Sequence, residues 1–189
     1  MHKVARYHAA LVILHWALAL LIIGALLIGF FWLGPMGNED PKKIEILEFH
    51  MAGGMLILAL MIVRLVVRFR TAKPPRAMTG YRLLDALVPI VHYGFYVTIV
   101  FLAGTGLATA VLANLNRIVF QRSGDPLPID LTIYPTFVAH TLLGIALVGL
   151  LVLHTTATLY HLLILQDRPF RRMLIGRRTL NPDATPAEL

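Results

Sequence analysis

Three histidines in the last third of the chain, His140, His154 and His161, stand fourteen and seven residues apart in otherwise apolar sequence, "HTLLGIALVGLLVLHTTATLYH". At about 100° per residue, fourteen residues turn about 1400°, which falls about 40° short of four full turns. In a helix, His140 and His154 therefore share one face about 21 Å apart, and His161 extends the row by about 10 Å. A lone histidine in an apolar helix is commonly a packed residue with one hydrogen bond. A row of three points to metal ligation or proton relay, the two kinds of chemistry a near-neutral imidazole performs. His15, His50 and His92 lie in other apolar stretches, and Arg64 follows His50 by the same fourteen residues.

The sequence contains no cysteine, which excludes disulfides, iron–sulfur clusters and thiolate chemistry. A redox group held here needs histidine or methionine ligands, or non-covalent binding.

The elements that must position these side chains follow from composition. Hydrophobic residues make up 58% of the 189, and charged residues only 14%. Soluble domains sit nearer ~45–50% and ~25%. Four apolar runs account for the difference, roughly 9–33, 46–67, 87–112 and 136–165. Each exceeds the ~20 helical residues that cross a hydrocarbon core of ~30 Å, where backbone groups must be satisfied internally. The expected fold is all-α: an integral membrane four-helix bundle forming one domain over residues 1–189. The first run is not read as a cleavable signal peptide, being about 25 residues long with no small-x-small cleavage site before Pro35.

Net charge is +7, unevenly placed. Lys3 and Arg6 precede the first run. Arg68, Arg70, Lys73, Arg76 and Arg82 crowd the second connection, and Arg168, Arg171, Arg172, Arg177 and Arg178 follow the fourth run. The first connection is neutral to acidic, and in the third Asp125 and Asp130 offset Arg117 and Arg122. Lys and Arg bias marks the cytoplasmic side, so both termini and the second connection are expected inside. Basic clusters that flank membrane spans argue against nucleic-acid binding.

Pro74 and Pro75 interrupt the second connection, and Leu83, Leu84, Leu87 and Val88 predict a short interfacial helix ending before Pro89. The third connection, about 22 residues long with Gly124, Pro126, Pro128 and Pro135, is long enough to form a cap or docking surface.

Topology converts positions into depths. His15 lies roughly 9 Å below the inner boundary, His50 roughly 8 Å below the outer one, and His140 at that same outer depth. His154 lies about 21 Å further in. The expected pairs are His50 with His140 outside and His15 with His154 inside. Two opposed histidines at one level, twice over, suit two stacked haems with bis-imidazole ligation. The alternatives are plain interhelical hydrogen bonds and zinc, although zinc sites usually need three or four protein ligands and no carboxylate stands near either level. "HMAGG" and "HTLLG" place glycine within about a turn of His50 and His140, where a flat macrocycle could approach. Arg64, near the inner level, suits a haem propionate, and Arg68 is expected to snorkel. His2 and His8 are expected at the interface or in solvent.

"LHW" in the first run, "FHMAGGMLILALMIVRLVVR" in the second, the H-x13-H-x6-H row and the "PP…MTG" connection resemble bacterial cytochrome b561, over about Leu11 to Met173. The resemblance implies two b-type haems (heme b) in four helices of a bacterial inner membrane, with His15, His50, His140 and His154 as axial ligands. It implies electron exchange with a ubiquinone-type quinone, whose pocket corresponds to His161 and His92. It also implies, for one branch, oxidation of periplasmic superoxide. The third connection departs from that branch, which leaves a separate electron-carrying protein as a second candidate donor. An anchoring cytochrome b subunit that relays electrons for a partner dehydrogenase is the alternative function.

Overall fold

The computed structural model describes residues 6–72, 74, 82–166 and 173–174. His2, Lys3, Lys73, Pro75, Arg76, Gly80 and the arginines from Arg168 to Arg172 and at 177–178 lie outside these described residues. Among the described residues there are helices and no strands.

Helix α1 spans Ala9–Leu27 and continues as a π-helix over Ile28–Leu33. His8 caps it: the backbone there is extended, and Nδ1 accepts the Ala10 N–H at 3.2 Å. Helix α2 spans Pro41–Arg70, with Asp40 accepting the Lys42 N–H at 2.9 Å and Pro41 at the first position, where a missing N–H costs nothing. It begins five residues before the apolar run because this cap starts it in the polar segment that ends the first connection.

Helix α3 spans Arg82–Leu112 with Pro89 inside it. The expected short helix ending before Pro89 is therefore not separate. It is the first two turns of the span. Pro89 removes one ladder bond close to the helix start, and the rest of the ladder carries the helix through, as membrane helices commonly tolerate. A short helix, α4 (Leu115–Val119), sits in the third connection. Helix α5 spans Pro135–Tyr160 and ends as a π-helix over His161–Leu165.

Among the described residues, four helical stretches are long and apolar enough to cross a membrane: Ala9–Leu33, Pro41–Arg70, Asp85–Leu112 and Pro135–Leu165. The closest backbone packing joins α3 to α5 and α1 to α2, with α2 also against α3. The seams between α1 and α5, and between α2 and α5, are wider.

All four long helices meet in a central cluster of Leu18, Ile22, Ile57, Met61, Ile99 and Leu147, with Leu18 and Leu147 only 1% exposed. Leu147 stands midway between His140 and His154, so this cluster divides the bundle into two levels. A second cluster, including Ala113, Ile118, Val119 and Leu127, packs on Ile44, Leu47 and Met51 of α2 and closes the end that carries the first and third connections. The third connection is strapped down there. Asn38 donates to the carbonyls of Pro128 (2.5 Å) and Ile129 (3.2 Å), and Arg122 pairs with Glu48 at 2.9 Å. Lys43 donates to the Met36 carbonyl.

Candidate functional site

Because α5 is α-helical from Pro135 to Tyr160, His140 and His154 leave it on one face, one on each side of the central cluster. His140 meets His50 of α2, with ring centroids 6.1 Å apart and planes at 80°. His154 meets His15 of α1, with centroids 6.3 Å apart and planes at 67°. Each pair joins two helices whose backbones stay further apart. Imidazoles on opposite sides of one metal atom, with metal–nitrogen bonds of about 2.0–2.1 Å, have centroids about 6 Å apart. The observed spacings fit bis-imidazole ligation of a flat group.

Hydrogen bonding decides which nitrogen His140 and His15 present. His140 Nδ1 donates to the Leu102 carbonyl at 2.9 Å, an acceptor shared with the Thr105 hydroxyl at 3.0 Å. A carbonyl only accepts, so the proton is on Nδ1 and Nε2 carries the lone pair a metal needs. His50 Nδ1 is buried without a hydrogen-bond partner.

His15 is different. Arg64 Nη1 lies 2.9 Å from its Nδ1, and arginine only donates, so Nδ1 accepts and the proton is on Nε2. Ligation through Nε2 requires Arg64 to release Nδ1. The guanidinium has another use: its Nε is buried without a partner, and among the described residues no carboxylate forms a salt bridge with it. A propionate would satisfy it. The residues therefore fit a haem at His50–His140 as they stand, and at His15–His154 once Arg64 turns to an anion.

His92 joins this second level. Its ring packs against His154 at 5.6 Å and 88°, and its Nδ1 donates to the Val88 carbonyl at 2.6 Å. Among the described residues no group of three or more His, Cys, Asp or Glu side chains converges on a metal position, so His92 enters the ring cluster without becoming a third ligand. His161 is buried at the first residue of the terminal π-helix, beside the Tyr160 ring at 6.4 Å. The ring His92 meets is that of His154. Arg68 lies over the Tyr96 ring at 5.9 Å.

Other glycines approach the imidazole rings themselves. A Cβ on Gly53 or Gly54 would meet nothing within 4 Å, whereas one on Gly106 would stand 2.9 Å from His140 Cε1. One on Gly29 would stand 3.5 Å from His50 Cε1, and Gly144 faces the Phe30 ring at 3.5 Å. Sequence reasoning missed Gly106 and Gly29, as well as Tyr96. The small-residue stretch "AGTG" at 103–106 was the available signal for the first. A cavity of about 480 Å³ opens in the third connection between Asn114, Arg117, Asp125, Ile129 and Tyr134, and none of the histidines lines it.

The chain is a helical membrane bundle with imidazoles paired at two levels. Residues 6–176 match the family model for prokaryotic cytochrome b561, and the chain belongs to that family. It is similar to a Yersinia pestis protein named probable superoxide oxidase CybB, at 26% identity over 94% of this chain and 99% of that one. The chain is thus a multi-pass protein of the bacterial inner membrane that binds b-type haem and carries electrons across the bilayer.

Proposed function

We propose that this chain holds two b-type haems, between His50 and His140 and between His15 and His154, and links superoxide outside the membrane to a ubiquinone-type quinone near His161 and His92. The observation that carries this reading is the two opposed imidazole pairs, at 6.1 and 6.3 Å, each bridging a seam that the backbone leaves wide. Basic residues beside the second connection and the tail put both termini inside, with the strapped end facing the periplasm. The printed name of the Yersinia pestis relative supports superoxide as donor. Residues 1–189 act as one domain.

When bound, the haems supply one-electron redox chemistry at the two levels. The chain does the rest. Leu102 and Gly106 seat the His140 ring, and the central cluster around Leu18 and Leu147 keeps water from between the levels. Two superoxide anions yield two molecules of dioxygen and two electrons, and a quinone takes up those electrons with two protons to become a quinol. With its Nδ1 proton committed to Val88, His92 offers Nε2 as a proton acceptor, and His161 stands at the same end as a second relay.

Haem-to-protein ratio and a reduced-minus-oxidised spectrum on detergent-purified protein test the cofactors, and superoxide-dependent reduction of a soluble ubiquinone analogue tests the reaction. Two haems per chain are expected, with one lost in His50→Ala or His154→Ala and turnover down more than tenfold. Full-rate turnover in His50→Ala would sink superoxide as a donor at that level, and a haem-free protein would sink the whole reading.

A further inference from the structure

The two imidazole pairs differ in charge. Around His50 and His140 the polar neighbours are neutral: each other's rings and the carbonyls of Ala25 and Leu102. At the His15–His154 level stands a fixed cation. Arg64 donates to His15 at 2.9 Å, and its charge also bears on His92 and His154. Tyr96, one turn after His92 on α3, braces this guanidinium. Its side chain interacts favourably with the Arg64 guanidinium, and Arg68 covers its ring at 5.9 Å.

Reduction lowers the charge of a haem centre by one. A fixed cation beside it, in a bundle of low dielectric constant, favours the reduced form and raises the potential. When Arg64 turns from His15 to a propionate, it offsets a negative charge at the same centre, which acts in the same sense.

We infer that Arg64 is a tuning residue, braced by Tyr96 and Arg68, that sets the reduction potential of the His15–His154 centre above that of the His50–His140 centre. The downhill direction for electrons is then from the strapped end of the bundle toward the end carrying the termini. The inference rests on the two-haem reading above. Tyr96 acts through Arg64 and is a positioning residue.

The test is a spectroelectrochemical titration of the purified holoprotein, with haem content counted first. Two one-electron steps are expected, and the step that survives in His50→Ala assigns the higher one to His15–His154. Arg64→Met should lower that step by at least the tenfold change in electron partition that corresponds to about 59 mV, with the other step unmoved. Arg64→Lys should retain most of the separation, and Tyr96→Phe should lower the same step by a smaller amount. A general loss of packing would disturb both steps, so the lower one is an internal control. The inference is overturned if the higher step belongs to His50–His140, or if Arg64→Met moves neither step or both alike. Should Arg64→Met lose haem, the wild-type assignment and Tyr96→Phe still decide the matter. Fewer than two haems in the wild type would overturn the two-haem reading itself, and this inference with it.

Discussion

The backbone of Gly106 is the surface on which the His140 imidazole lies: a Cβ there would stand 2.9 Å from Cε1 and 3.0 Å from Nδ1. The same turn of α3 supplies the Leu102 carbonyl that orients the ring. Gly106→Ala must therefore push the imidazole away, at a cost of about 1–3 kcal/mol for overpacking. On the two-haem reading proposed above, the haem at His50–His140 is expected to be lost or spectrally shifted, while the one at His15–His154 persists. Gly149→Ala, where an added Cβ meets nothing within 4 Å, is the control and should leave both bands in place. An unaltered spectrum in Gly106→Ala would remove this glycine from the site.

Leu147 is 1% exposed in the cluster that separates the two levels. Leu147→Ala should destabilise the bundle by about 2–5 kcal/mol through lost burial and the cavity left behind. Ile145, two residues away and 55% exposed, should tolerate alanine within about 0.5 kcal/mol. Thermal melts of the two variants in the same detergent would separate them, and equal midpoints would mean that the partition is not tightly packed.

The strap between Arg122 and Glu48 has good geometry at 2.9 Å, yet the two side chains are 65% and 35% exposed. Exposed pairs contribute about 0.2–1 kcal/mol. A double-mutant cycle with Arg122→Ala and Glu48→Ala should return a value in that range that shrinks as salt is added. A larger, salt-insensitive coupling would show that the cap depends on this pair more than its exposure suggests.

Asp130 accepts the Thr132 N–H and hydroxyl at 2.7 Å, and these bonds hold its carboxyl below the ordinary value of 3.8. A depressed carboxylate pKa contributes stability that is present above the unfolded value and is lost as pH falls through the folded one. Local order in the third connection should thus be insensitive to pH above about 4 and weaken only below it. Thr132→Val removes the hydroxyl bond and should raise the pKa of Asp130 toward 3.8, readable by carboxyl-carbon NMR of labelled protein. An unchanged titration would assign the shift to the backbone bond alone.

Much of this architecture is legible from residue order. Hydrocarbon forces the backbone to satisfy itself, so runs of such length must be helices, and a helix of fixed pitch puts His140 and His154 on one face whatever surrounds them. Depth then matches His50 to one and His15 to the other. Other features were beyond that arithmetic. Whether Arg64 reaches His15, whether Tyr96 braces it, and which glycine lies under His140 depend on the rotation and tilt of α2 and α3 against α1 and α5. Those angles come from side-chain packing across the bundle, and composition along one helix does not constrain them. Pro89 is the same lesson within a single helix. Its ring forbids one hydrogen bond, but whether a helix stops or continues there depends on neighbours in the fold, and here α3 continues.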